Sequence, residues 1–182
     1  MLKQKGTQTI VTERLILRRF RREDAKAMYE NWASDDEVTK FMSWPSHGDL
    51  AISEWVINDW LASYENDDYY QWGIEFDGQV IGSIGVVSMN TDVEKAEIGY
   101  CIGKAWWHRG IMPEALKAVM DYLFDEVGFQ RLEAGHDPRN PNSGRVMRKC
   151  GMQYEGTLRN FGRNNQGICD VSIYALLRNE RK

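Results

Sequence analysis

Two stretches of this chain carry residue types at a spacing that could do chemistry: EIGYCIGKAWWHRGIMPEAL from residue 97, and NPNSGRVMRKCGM from residue 140. The first reads as a strand that runs into a glycine turn and opens a helix with Pro113 in its first turn, where a missing N–H and a fixed φ are tolerated. In that geometry the amides of His108, Arg109, Gly110, Ile111 and Met112 converge at the positive end of a helix, with the Arg109 guanidinium alongside. A pyrophosphate would fit such a cradle. A glycine turn also serves as a plain strand-to-helix connection that needs φ > 0, and the two readings stand side by side at this level. In the second stretch Asn140 and Ser143 open a helix that Gly151 closes.

The elements around these stretches alternate without a linker. Thr12 to Arg18 alternates as a strand with Leu15 and Leu17 on one face, and Arg22 to Trp32 follows as a helix with Ala25, Met28, Tyr29 and Trp32 on its apolar side. A loop through SWPSHGD enters a helix from Leu50 to Tyr64, with Ile52, Trp55, Val56 and Trp60 on one stripe, and Glu65 to Asp68 breaks it. Tyr70 to Phe76 and Gln79 to Met89 form a hairpin across Asp77-Gly78. Glu94 to Ile102 pairs next. The helix from Pro113 to Val127 repeats Leu116, Val119, Met120, Leu123 and Val127 at helical spacing and ends at Gly128. Arg131 to His136 is a strand, and two more strands flank NNQG, with Val171 to Leu177 as the last. The order is β-α-α-β-β-β-α-β-α-β-β.

With that order, the opening TERLILRRFRREDAKAMYENW, the segment AEIGYCIGKAWWHRGIMPEAL and the ending YALLRNE, the chain resembles the GNAT superfamily of acyl-CoA-dependent N-acetyltransferases, in particular the branch with the ribosomal-protein-alanine N-terminal acetyltransferases. The resemblance covers residues 9 to 181. It implies an α/β (α+β) fold in a single domain over 1–182: a mixed, mostly antiparallel sheet of six to seven strands, two central parallel strands splayed apart, and helices on both faces. It also implies acetyl-CoA as co-substrate, with its pantetheine arm in the wedge between Glu97–Ile102 and Arg131–His136, against the backbone of Tyr100 and Ile102. An amide in that stretch would polarise the thioester carbonyl. Asn140 and Ser143 match the family's N-x-x-S pattern, whose side chains reach the pantetheine or adenosine end; capping their own helix is the alternative use.

By the same resemblance Glu97 is the candidate catalytic base, directly or through water; a carboxylate paired with a strand lysine is the alternative. His136, at a strand end, is a lesser candidate. Two positions depart from the family pattern. Met147 stands where a tyrosine acid is common, leaving Tyr154, Ser143 or water to protonate the thiolate. The Q/R-x-x-G-x-G/A turn has Trp107 first and Met112 last, which the ribosomal-protein branch shares. The acceptor pocket is expected within Lys40 to Trp72, where Trp44, Trp55, Trp60, Trp72 and the acids Asp35 to Glu37 and Glu65 to Asp68 offer themselves to a cationic amine.

Composition sets bounds. The 182 residues, 42% of them hydrophobic, suffice for one substantial core. A net charge of −4 disfavours a nucleic-acid surface and anionic membranes. Cys101, Cys150 and Cys169 have no CxxC spacing, and His47, His108 and His136 lie far apart, so neither a disulfide scaffold nor a metal site is expected. No apolar run nears the roughly 20 residues of a membrane span, and the cytoplasm is the expected address. A monomer or homodimer is expected. Four activities compete: N-acetylation of a protein N-terminal α-amine, the same reaction on a small amine such as a polyamine or aminoglycoside, non-catalytic acyl-CoA binding, and a tryptophan-rich sugar- or peptide-binding module. An α-amine has a pKa about 2 units below that of lysine and needs less help to lose its proton, which favours the first.

Overall fold

Apolar residues alternating with polar ones place the central strands between two layers, and a computed structural model describes residues 2–181 in that arrangement. Eight strands, β1 (Ile10–Val11), β2 (Leu15–Arg18), β3 (Gln71–Phe76), β4 (Gln79–Asn90), β5 (Lys95–Ile102), β6 (Arg131–His136), β7 (Gln153–Asn164) and β8 (Gly167–Leu177), form one sheet in the order β1-β2-β3-β4-β5-β6-β8-β7. The count exceeds the expected six to seven. The extra strand arises because Thr12 to Arg14 is a turn, in which the Leu15 amide donates to Thr12 Oγ1 at 3.0 Å, folding Ile10 and Val11 back onto Leu17 and Ile16.

The helices are α1 (Asp24–Met28), α2 (Asp36–Thr39), α3 (Leu50–Ser63), α4 (Ile111–Tyr122) and α5 (Pro141–Lys149). Two of them continue as single π-helical turns, Tyr29–Ala33 after α1 and Leu123–Val127 after α4, so the expected helices there are present but interrupted. Leu15, Leu17, Ile84, Ala96 and Ile98 meet Ala115, Leu116 and Val119 of α4 on one face of the sheet. Ala25, Met28, Trp32 and Ile57 pack on Val80 and Cys101 on the other. On α3 the expected stripe is displaced: Ile57 is fully buried, whereas Ile52 and Trp55 face outward.

The feature that positions the site is in the middle of the sheet. β5 and β6 run parallel and pair only as Lys95↔Arg131, Ala96↔Leu132 and Glu97↔Glu133. Ion pairs fasten that closed end, Lys95 to Glu133 at 2.7 Å and Arg131 to Glu133 at 3.0 Å. On the opposite edge of β5 the register slips, Val86 facing Ile98 and Ser88 facing Glu97, which leaves Val87 as a bulge. A bulge bends its strand and steepens the twist. This one lies beside Glu97, where pairing to β6 stops, and from there the two strands diverge.

β4 must therefore hug β5 to carry the bend. A Cβ on Gly82 would sit 2.4 Å from the Cys101 carbonyl oxygen, a backbone atom that cannot step aside. Gly82→Ala is expected to destabilise the protein by about 1–3 kcal/mol, the usual cost of overpacking. Denaturant melts that coincide with those of the parent would show that this approach is not tight.

Candidate active site

The glycine turn adopts the cradle geometry. Gly110 is the N-cap of α4 with φ 73°, His108 is also left-handed at φ 60°, and no side chain caps the helix. Arg109 is at the surface with its guanidinium over the Phe76 ring, 5.0 Å from the centroid. The turn is gripped from behind by residues whose role the sequence did not reveal. Glu114, in the first turn of α4, accepts from Thr12 Oγ1 at 2.7 Å, the Arg14 amide at 3.0 Å and Arg14 Nε at 2.7 Å. Arg14 Nη1 in turn donates to the Arg109 carbonyl at 3.1 Å. Burial pushes the Glu114 carboxyl up, but these hydrogen bonds outweigh it and hold the pKa below the usual range. The grip thus tightens above the unfolded pKa near 4.3 and is lost as pH falls.

Backbone direction in the wedge follows from alternation. Glu94 C=O accepts from Gln130 N–H on the β6 side, and Gly103 N–H donates to Ile81 C=O on the β4 side. Even-numbered residues of β5 therefore point their N–H and C=O at the gap; the Glu97↔Glu133 pair still engages the Ile98 N–H, and beyond it there is no β6 partner. Ile102 C=O is taken by the Trp107 indole at 2.9 Å. Tyr100 faces the opening.

A cavity of about 340 Å³ runs from this gap to the turn. Tyr100, Ile102, His108, Arg109, Gly110, Ile111, Met112, Asn140 and Ser143 all line it, so every residue nominated for the cofactor is brought to one groove. Arg145 and Lys149 of α5 line it too, adding positive charge that was not anticipated although the i,i+4 spacing marks one helix face. Asn140 makes no capping hydrogen bond with its side chain, so that alternative use is not taken up. Ser143 Oγ lies 3.0 Å from the Tyr100 hydroxyl, which also donates to the Ser143 carbonyl. Burial raises the Tyr100 pKa and keeps the phenol protonated.

Side chains at odd positions of β5 point to the opposite face, and there a second cavity of about 580 Å³ opens. Glu97 lines it, held by a 2.9 Å hydrogen bond from Ser88 Oγ. The lysine pairing considered for Glu97 does not form, since Lys95 bonds Glu133. Met42, Tyr100, Cys101, Asn140 and Ser143 line both cavities, which therefore meet where β5 leaves β6. Cys101 is enclosed and its thiol pKa is pushed by burial to about 12, so it is no nucleophile.

Other candidates fall elsewhere. Tyr154 is exposed on β7 and bonds Thr157, lining neither cavity, and Met147 is buried in the main core. His136 lines the second cavity, but its Nε2 is shut in without a partner against α5, where a Cβ on Gly144 would meet it at 2.5 Å. Trp72 is a core residue that donates to the Gln8 carbonyl. Asp35 caps α2, Asp36 takes the Ser46 hydroxyl and Glu37 pairs with Lys104. Glu65 to Asp68 lie outside the cavity. All three cysteines are free thiols, Cys150 only partly buried. Among the described residues no cluster could hold a metal ion, and no helix is long and apolar enough to cross a membrane.

The family profile for the acetyltransferase (GNAT) domain matches residues 14–153. The chain belongs to the GNAT acetyltransferases. It is 32% identical to the uncharacterized N-acetyltransferase p20 of Bacillus licheniformis over 95% of this chain and 98% of that protein. It is 26% identical to the [ribosomal protein uS5]-alanine N-acetyltransferase of Escherichia coli over 84% of this chain and 81% of that protein. A crystal structure of a GNAT acetyltransferase from Bacillus anthracis superposes with a TM-score of 0.82 at 26% identity, covering 94% of this chain and 99% of that one. The protein is thus a GNAT N-acetyltransferase that uses acetyl-CoA, on an α+β fold with one parallel pair in a mostly antiparallel sheet.

The shape and charge of the first cavity fit CoA: a slot of free backbone for the pantetheine and an uncapped helix end for the pyrophosphate. Arg109→Glu is expected to weaken acetyl-CoA binding by about 1.5–3 kcal/mol, the range for a hydrogen bond to a charged group. Gly110→Val should weaken it more. The protein itself leaves room at Gly110, its nearest atom being Arg14 Nη2 at 3.6 Å, so the cost comes from the positive φ and from crowding the phosphate. Calorimetry on folded variants checks both, and parental affinity in either would move the pyrophosphate elsewhere.

Proposed function

We propose that this GNAT enzyme acetylates a protein or peptide N-terminal α-amine, by direct attack on acetyl-CoA in a ternary complex with Glu97 as base. The observation that carries it is the junction between the two cavities, with Glu97 lining the second and Tyr100 lining both. The amine would attack the thioester carbonyl carbon while Glu97 receives its proton, directly or through water. The Tyr100 amide would hold the oxyanion. Collapse of the intermediate breaks the C–S bond and expels CoA as a thiolate. A thiolate is a good leaving group that needs no strong acid, and with Tyr154 remote and Met147 apolar, Ser143, which lines both cavities, or water supplies its proton.

A second strong base is not among the groups at the junction, because the His136 lone pair is closed off and Cys101 is held neutral. That suits an α-amine near pKa 8 better than a lysine near 10.4. The uS5-alanine relative supports the same class. A polyamine or aminoglycoside is less favoured, because the acids at 35–37 are committed to local partners and those at 65–68 do not reach the cavity.

Glu97→Gln should lower kcat on the order of 10²-fold, with acetyl-CoA affinity retained and a deficit that shrinks as pH rises and the amine deprotonates unaided. A pH-independent loss, or a matching fall in melting temperature, would assign Glu97 to structure. In a competition at one pH, a peptide with a free N-terminus should release CoA faster than the same peptide blocked there but carrying a lysine. The reverse order would remove the α-amine assignment.

A further inference from the structure

The acceptor cavity has a wall that a simple amine would not need. Trp32, Phe41, Trp44, Trp55 and Trp60 line it, with Trp32 fully buried at the base and Trp55 69% exposed. An indole left that open on a helix whose buried residues are Ser53 and Ile57 contributes nothing to the core, and an exposed large apolar group beside a cavity marks a binding surface. The wall is also rigid. Trp60 packs at 4.9 Å on Phe20, and Trp44 lies 5.5 Å from His47, whose Nδ1 is 2.7 Å from Ser53 Oγ. From across the cleft, Asn165 in the β7–β8 turn donates to the carbonyls of Thr39 and Trp44, both at 2.8 Å, fixing the loop that carries Phe41 and Trp44.

We infer that this aromatic wall is a subsite for an aromatic side chain or ring next to the acceptor amine, so that the enzyme selects amines bearing a large planar apolar group over those flanked by a small one. The inference rests on the amine-acetylation reading of the same site. Preformed aromatic surfaces bind rings by burial and by offset or edge contacts with little entropy lost. The wall is continuous with the junction at Met42 and Tyr100, which places the ring beside the reacting amine. The competing occupant is a second cation, for which such a wall could serve as a cation–π surface. It is disfavoured because Asp137, an acid on the far side, is already held by Arg139 and Asn164, leaving Asp59 at the mouth and Glu97 at the reaction point.

The test uses the full chain at saturating acetyl-CoA and one pH, reading thiol release. Peptides identical except for the first residue should show kcat/KM at least 10-fold higher for Phe than for Ala or Ser. Phenethylamine should exceed ethylamine by a similar factor, which tests the subsite even if no peptide α-amine is used. In Trp55→Ala the Phe-to-Ala ratio should fall several-fold, through KM, with acetyl-CoA affinity and melting temperature unchanged. Equal or better use of the Ala and Ser peptides together with ethylamine, an unchanged ratio in Trp55→Ala, or spermidine surpassing every aromatic amine would overturn it. Preference for a lysine side chain over every α-amine, with the phenethylamine advantage intact, would remove the peptide reading and leave the subsite.

Discussion

Everything in this molecule turns on a short parallel pairing that stops. After Glu97↔Glu133 the β5 backbone continues for five residues without its β6 partner, in the centre of a sheet whose other ladders close. Peptide N–H and C=O groups in such a place need a partner, and an extended chain with amides of its own, such as pantetheine, supplies one. The splay is not a defect at an edge. β8 inserts beside β6 and the ion pairs at Glu133 hold the closed end, so the opening has fixed hinges on both sides.

From that opening the two cavities are set by alternation along a single strand. Even residues of β5 give backbone to the gap and side chains to the α4 and α5 face, while Glu97 and Cys101 turn to the α1 and α3 face. One strand therefore presents the thioester slot and the candidate base without a mobile loop. The glycine turn is tied to the same frame by Thr12, Arg14 and Glu114, which couple the first hairpin to the start of α4.

What was legible in the sequence was local. A glycine between a strand and a helix, Pro113 in the first turn and Asn140 before Pro141 each state their own backbone, and the groove follows from them. What was not legible depends on partners distant in sequence. Glu37 looked available until Lys104, 67 residues on, took it. Tyr154 could be placed only by the β7–β8 register, and the hold of Arg14 on the Arg109 carbonyl spans 95 residues. On α3, helical spacing suggested an inward face through Trp55, but the helix rolls so that Ser53 and Ile57 lie inside. That roll brings Trp55 to the rim of the second cavity.

The central claim is that the splayed backbone and the glycine turn form one continuous seat for the cofactor. Amide hydrogen exchange with and without CoA addresses it directly, because exchange reports each N–H separately. Strong new protection on CoA binding is expected at Tyr100 and Ile102, at residues 108–112 and at the start of α5, with little change along β1 to β3. Protection confined to other segments, with the amides of β5 and the turn exchanging as before, would contradict it.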